Sequence, residues 1–170
     1  IEKWEKQYGM EECKKLLEAS NARPKLSIRV NVNKTSREEL KEYLEEKGYE
    51  VTEGTFSNRT LHVKGSGLLE DERYAEGYFS IQDEASTVAA DELGAKPGET
   101  VIDVCAAPGG KSTHLASMMN GNGWLVSNEI TKSRVNILAE NMQKWGAPNV
   151  MVTSNTPNEL GKFYSVFDMV

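Results

Sequence analysis

The spacing of apolar residues predicts a small α+β module over the first part of the chain. Residues 2–19 carry apolar side chains at helical spacing, and the segment LSIRVNV (residues 26–32) alternates apolar and polar residues as a half-buried strand does. Ser36 followed by Glu39 is a capping-box pattern that begins a second helix. The predicted order is helix 2–19, strand 26–32, helix 36–47, strand 49–53 and strand 60–63.

The second part of the chain alternates strands with helices, which is typical of parallel βαβ units. A short strand at 78–81 and a helix capped by Asp83 lead into it. The predicted order is then strand 100–104, glycine-rich turn 105–110, helix 111–119, strand 124–127, helix 131–145 and strand 150–153. The fold class predicted is α/β: a partial Rossmann-like sheet over residues 77–170, preceded by a small α+β module over residues 1–76, with Gly65-Ser66-Gly67 as the linker.

Composition narrows the class of protein. The chain has 170 residues, of which 38% are hydrophobic and 27% charged, so it can bury a core. A net charge of −6 argues against binding nucleic acid through bulk charge. Two cysteines far apart, Cys13 and Cys105, exclude a disulfide framework and a multi-cysteine zinc site. With no apolar run of membrane-spanning length, we expect a soluble, cytoplasmic protein without a metal.

One segment has a local positive charge. Residues 23–37 contain five basic side chains and no acidic one: Arg23, Lys25, Arg29, Lys34 and Arg37. The alternation in the predicted strand places Arg29 and Asn31 on the face opposite its apolar residues, so these charges are expected to share an exposed surface. This surface either contacts RNA phosphates or is an ordinary solvated strand face, and the residues alone leave both interpretations open.

The candidate ligand site lies at the carboxyl ends of the predicted parallel strands, where ligands of doubly wound sheets bind. Three turns leave those ends, over residues 103–111, 127–130 and 154–157, and all three carry polar residues or glycines. We therefore expect one site formed by these turns.

The first turn, DVCAAPGGKST, does not match the common phosphate-binding motifs. A P-loop needs a glycine where Cys105 stands, and Pro108 removes one of the amides on which such loops depend. The dinucleotide pattern G-x-G-x-x-G is also absent. What remains is a loop of small residues against which a ligand can lie, followed by a helix N-terminus that favours a carboxylate or phosphate. Lys111 either pairs with that anion or is solvated.

The second turn points to a ribose. Glu129 follows the second strand, in the place where a carboxylate of a Rossmann-like sheet accepts hydrogen bonds from ribose hydroxyls. A ligand with a ribose and an anionic end, but with no polyphosphate requirement, satisfies both turns. S-adenosylmethionine is such a ligand.

Three segments resemble one family closely: IQDEAS (81–86), DVCAAPGGKSTH (103–114) and NEI (128–130). They are similar to the RNA 5-methylcytosine methyltransferases of the NOL1/NOP2/Sun (Fmu) family, whose bacterial members modify small-subunit ribosomal RNA. The segment RPKLSIRVN resembles the small RNA-contacting domain that precedes the catalytic domain in that family. The front half is closer to the RsmB-like branch, and residues 133–155 are closer to the RsmF-like branch.

The resemblance implies a cofactor, a partner and a set of site residues. The cofactor is S-adenosylmethionine, and the partner is RNA, specifically small-subunit ribosomal RNA. Glu129 becomes the ribose ligand, and Asn155 and Thr156 stand where many relatives have an aspartate near the adenine. The cofactor loop comprises Cys105, Ala106, Ala107, Pro108, Gly109, Gly110 and Lys111.

The sequence also departs from the family. Relatives carry Asp-Ala-Pro-Cys and Thr-Cys turns that supply the two catalytic cysteines, and neither turn occurs here. The resemblance thus implies an N-terminal, cofactor-binding portion of the enzyme that is inactive alone. The alternative is a noncatalytic or engineered cofactor- or RNA-binding module that self-associates. The segment from Phe167 is expected to pair beside strand 100–104, and a homodimer or a complementing C-terminal part is expected to cover the remaining edge.

Overall fold

A computed structural model describes residues 1–163 and 165–170. Its first part is an antiparallel sheet of order β2-β3-β1-β4. The elements are α1 (Glu2–Asn21, interrupted at Gly9), β1 (Leu26–Val30), α2 (Arg37–Glu46), β2 (Glu50–Glu53), β3 (Thr60–Lys64), α3 (Glu72–Ala75) and β4 (Phe79–Ile81). The predicted capping box is present, because the Ser36 side chain accepts from the Glu39 amide and the Glu39 carboxylate accepts from the Ser36 amide.

β1 lies in the interior of this sheet, and from Ser27 to Val30 all its residues are buried. Ile28 and Val30 pack in an apolar core with Leu40 and Leu44 of α2. The opposite face of β1 carries Arg29, which was expected to be exposed but is fully buried together with Asn31. That prediction is wrong because the second part of the chain covers the polar face of the strand.

The second part is a parallel sheet of order β5-β6-β7, which confirms the predicted α/β class with its partial Rossmann-like sheet. Its elements are α4 (Glu84–Leu93), β5 (Thr100–Asp103), α5 (Gly110–Met119), β6 (Trp124–Asn128), α6 (Lys132–Trp145), β7 (Val150–Thr153) and α7 (Pro157–Leu160). Its core joins Val101 and Leu125 of the sheet to Leu115 and Met119 of α5.

The expected pairing beside β5 is confirmed. Met169 forms a parallel bridge with Val101, and the Ile102 amide donates to the Met169 carbonyl at 3.0 Å.

The predicted boundary at residue 76 stays a prediction. β4 follows that boundary in sequence, yet it pairs with β1 in register Arg29↔Ser80, so the first sheet takes its edge strand from beyond it. Within the described part of the chain, no helix is both long and apolar enough to cross a membrane.

Candidate functional site

The three turns after β5, β6 and β7 meet at one edge of the parallel sheet, as expected. The Ala106 amide donates to the Asn128 carbonyl at 2.8 Å, which joins the first turn to the second. The Glu129 amide donates to the Thr153 carbonyl at 3.0 Å, which joins the second turn to the third. The three predicted segments therefore lie together at one edge of the sheet.

Asn128 links all three turns through its side chain. Its Nδ2 donates to the carbonyls of Val104, at 3.3 Å, and Asn155, at 3.1 Å. Its Oδ1 accepts from the Asn155 amide at 2.8 Å and from the Thr153 hydroxyl at 2.9 Å. Because this side chain is buried and every polar atom is bonded, it fixes the turns relative to one another.

The first turn is held from below and leaves the start of α5 open. Asp103 accepts from the Ser112 hydroxyl at 2.7 Å and from the Cys105 amide at 3.3 Å. Gly109 caps α5 with φ +109°, a left-handed conformation that favours glycine. The helical geometry leaves the first amides of α5 without a carbonyl four residues earlier, so they and the helix dipole are available to an anion.

Glu129 presents a charged carboxylate beside this turn. The side chain is buried, its Oε1 accepts from the Thr131 amide at 2.8 Å, and its Oε2 lies 3.1 Å from Nη1 of Arg134. The Thr131 amide, more than the Arg134 charge, holds the pKa of the Glu129 carboxyl below its ordinary value of 4.5. Glu129 is therefore an ionised hydrogen-bond acceptor at neutral pH.

The other predicted loop residues differ in exposure. Ala106 and Ala107 are buried and pack against Leu138 and Met142 of α6, while Cys105, Pro108 and Lys111 are exposed. Thr156 is exposed and begins α7, where both its amide and its hydroxyl donate to the Glu159 carboxylate, at 2.7 and 2.8 Å. Asn155 is held by its backbone to Asn128, so it lies at the site edge next to the second turn.

Three residues with a role in assembling this edge were not predicted from the sequence. Asn128 belongs to the NEI motif but was given no role of its own, although a polar residue at the carboxyl end of a buried strand indicates a position in the site. Arg134 donates to the Ala107 carbonyl at 2.6 Å, and Asn141 donates to the Pro108 carbonyl at 2.7 Å. Both lie on α6, and no spacing in the sequence relates them to the first turn.

The predicted positive strip does not form one surface. Arg29 donates to Gln82 and Thr113 inside the molecule, so it has no surface to offer RNA. Lys34 donates to the carbonyls of Glu76, at 2.6 Å, and Lys144, at 3.1 Å, while its side chain stays at the surface. The expectation of a shared exposed face is corrected: the central part of the strip binds the second part of the chain.

The ends of the strip remain accessible. Arg23 and Lys25 are exposed and line a groove of about 630 Å³ against β2 and β3, together with Lys64 and its ion-pair partner Glu50. The Arg37 side chain is only 22% exposed and pairs with Glu53 at 3.0 Å. Within the strip of residues 23–37, the positive charge that is accessible to an anionic partner is therefore concentrated at Arg23 and Lys25.

Two family models match the chain. One, described as the RsmF/B-like methyltransferase ferredoxin-like domain, matches residues 1–68. The other, described as 16S rRNA methyltransferase RsmB/F, matches residues 90–170. The two matched segments contain the strands of the two sheets except β4, which lies between them.

Individual relatives agree with these models. The chain is 34% identical over 146 residues to the probable ribosomal RNA small subunit methyltransferase B of Bacillus subtilis, covering 86% of the chain and 33% of that protein. It is 32% identical over 150 residues to the tRNA (cytosine(49)-C(5))-methyltransferase of Pyrococcus abyssi, covering 85% and 47%. The chain spans about a third of the length of the bacterial small-subunit methyltransferases B that it matches.

A solved structure has the same arrangement of both sheets. The crystal structure of a methyltransferase homolog from Pyrococcus horikoshii superimposes with a TM-score of 0.88 at 25% identity, covering 95% of this chain and 54% of that one. The similarity extends across both parts of the fold.

Proposed function

We infer that the chain, which belongs to the 16S rRNA methyltransferase RsmB/F family, is the RNA-contacting and S-adenosylmethionine-binding portion of an RNA cytosine-5 methyltransferase. One observation carries this proposal: a buried, ionised Glu129 and the open N-terminus of α5 lie on adjoining turns of one site edge. An acceptor for ribose hydroxyls and a donor set for a carboxylate are the two features that this cofactor requires.

The residues present fit the cofactor. We propose that the first amides of α5 and Lys111 hold its carboxylate, that Glu129 holds its ribose, and that Asn155 and Thr156 lie nearest the adenine. The small residues from Cys105 to Gly110 let the ligand approach the backbone closely. When bound, S-adenosylmethionine supplies a methyl group on a sulfonium, which is activated for transfer to a carbon nucleophile.

The residues of this chain supply binding and positioning. Carbon 5 of cytosine becomes nucleophilic only after a thiolate adds to carbon 6. Cys13 is buried in α1, and Cys105 lies in the loop that we assign to the cofactor, so neither is assigned that role. We propose that the nucleophilic thiolate of the enzyme comes from outside these residues.

The proposed substrate is RNA, and more narrowly small-subunit ribosomal RNA. The bacterial relatives are named for that substrate, whereas the Pyrococcus abyssi relative is named for tRNA. Arg23 and Lys25 are the side chains through which we propose that the first module contacts phosphates. Competition between the two RNA classes for the chain would separate these substrates.

We also propose that the chain associates, either as a homodimer or with a complementing C-terminal part. The matched segment is only 33% of the Bacillus subtilis relative, which supports further polypeptide packed beside β5. Light scattering at micromolar concentration tests this, and a freely soluble monomer with a cooperative thermal melt would reject it.

Calorimetric titration of the folded chain with S-adenosylhomocysteine, the demethylated product, tests the cofactor assignment. We expect saturable heat in the micromolar to millimolar range. A folded chain that gives no heat at millimolar ligand would reject the proposal.

A further inference from the structure

We propose that Arg29, a residue of the first module, is a positioning residue for the cofactor loop of the second. This inference rests on the proposed function, because it assigns a determinant of affinity for the carboxylate end of the cofactor. It concerns a residue that the strand pattern predicted to lie on an exposed surface.

The contacts of Arg29 converge on the start of α5. Its Nη2 donates to the Thr113 hydroxyl at 2.6 Å and lies 3.2 Å from the Gly110 carbonyl. The Thr113 hydroxyl in turn donates to the Gly109 carbonyl at 2.8 Å. A continuous hydrogen-bonded path therefore joins β1 of the first sheet to both glycines of the loop.

Gln82, the residue that follows β4, also contacts Arg29. Its Oε1 accepts from Nε of Arg29 at 2.8 Å. The same oxygen would lie 3.4 Å from a Cβ added at Gly110, so Gln82 also packs against the loop. The IQDEAS segment, which the cofactor assignment did not explain, thus contributes one of the groups that orient Arg29.

Fold stability is a poor explanation for this arginine. Among the residues that the structure describes, no carboxylate lies within ion-pair distance of the guanidinium, and Nη1 has no hydrogen-bond partner. Burial, followed by the nearby Arg59, lowers the pKa of Arg29 to about 9. Stacking over Trp145, 4.1 Å from the ring centroid, recovers part of the desolvation cost. A buried charge held by neutral acceptors fixes geometry at a cost in stability.

The geometry that Arg29 fixes is the one the ligand needs. The amides of α5 that we assign to the carboxylate begin at Gly110, whose carbonyl Arg29 contacts. If Gly109 and Gly110 rotate, these amides no longer converge on one point. Loss of Arg29 is therefore expected to weaken the grip on the carboxylate and to leave the Glu129 contact with the ribose unchanged.

Two ligands separate these effects. S-adenosylhomocysteine carries the amino-acid carboxylate, and 5′-methylthioadenosine has the same nucleoside without it. We expect Arg29→Met and Thr113→Val each to weaken S-adenosylhomocysteine binding by about tenfold or more, and to change 5′-methylthioadenosine binding by less than about twofold. Arg29→Lys keeps the charge but loses the planar fork, so it should restore only part of the affinity.

Arg59→Met is the matched control. Arg59 is a second arginine of the first module, with its side chain 25% exposed, and it bonds Asp91 and His114 of the second module without touching the loop. The Arg59→Met variant should leave the ratio of the affinities for S-adenosylhomocysteine and 5′-methylthioadenosine unchanged. If Arg29→Met does not fold, Thr113→Val carries the test with Arg29 retained.

The outcomes are distinguishable. Equal weakening of both ligands, or unchanged S-adenosylhomocysteine binding in a folded variant, would overturn the role of Arg29 and leave the proposed function standing. A folded wild-type chain that binds neither ligand would reject the proposed function, and the inference with it.

Discussion

Glu129 and Arg134 form an ion pair of 3.1 Å across the first turn of α6, with the carboxylate buried and the guanidinium half exposed. The same arginine reaches the Ala107 carbonyl, so the pair ties the second turn to the first. The carboxylate is therefore oriented before any ligand binds.

Removal of this carboxylate should weaken cofactor binding. We expect Glu129→Ala to reduce affinity for S-adenosylhomocysteine by about tenfold, because two ribose hydroxyls lose a charged acceptor. Calorimetric titration measures the change. Glu140→Ala removes an exposed acid from α6, the helix that follows Glu129, and is the control. An unchanged affinity in Glu129→Ala would reject the ribose assignment.

A buried histidine should make stability depend on pH. His114 is fully buried, and its Nε2 lies 2.7 Å from Nη1 of Arg59 and 3.0 Å from Oδ1 of Asp91. The Arg59 guanidinium can only donate, so this contact favours the neutral ring. Burial, followed by the charges of Arg29 and Arg59, lowers the pKa of His114 from 6.5 to about 2.

Between these two values the unfolded chain binds a proton that the folded chain does not. Stability should therefore fall as the pH is lowered from 6.5 towards 2. Urea unfolding across this range measures the slope, and His114→Gln should make it shallower. The difference between the two proteins cancels the other titrating groups, and identical slopes would contradict a neutral, buried ring.

The contact between Gly77 and Lys144 should not accept a side chain. Gly77 is buried with φ +74°, and an added Cβ would overlap the Lys144 carbonyl. We expect Gly77→Ala to lower the free energy of unfolding by about 2 to 4 kcal/mol. Gly98 has φ +92° with open space around it, so Gly98→Ala should cost only about 1 kcal/mol. Equal losses in the two variants would show that the close approach carries no energy.

The exposed ends of the basic segment should control the salt dependence of RNA binding. Replacing Arg23 and Lys25 by Gln is expected to reduce the slope of log affinity against log salt by about 1 to 2, because two phosphate contacts are lost. Filter binding to a structured ribosomal RNA fragment at several salt concentrations measures it. Lys96→Gln is the control for an exposed charge elsewhere, and a slope unchanged in the double variant would reject the contact.

Much of the fold follows from local patterns. The periodicity located β5, β6 and β7, and the capping pattern at Ser36 located the start of α2, because these signals depend only on neighbouring residues. The positions of the glycine turn after β5 and of Glu129 after β6 were also predicted, since they follow from the topology. The short helix α7 was not predicted, although Thr156 before Pro157, with Glu159 three residues after Thr156, is a helix-start signal.

The direction of Arg29 could not be predicted from the same patterns. Alternation in β1 shows that Arg29 and Ile28 lie on opposite faces, but not what covers each face. That depends on the packing of α5 and α6 against the first sheet, which is a long-range property of the chain. The alternation therefore predicted the correct face of the strand for Arg29, but the wrong environment for that face.

The hydrogen bonds of Asn128 have a kinetic consequence. The Asn128 side chain bonds the Val104 carbonyl in the first turn and both the carbonyl and the amide of Asn155 in the third. The three turns are therefore assembled in the free protein. An incoming ligand then meets a formed surface and does not wait for loops to order, so its association rate should increase linearly with ligand concentration, without a plateau. Substituting Asn128 by Ala would introduce such a plateau, because turn closure would become a separate step.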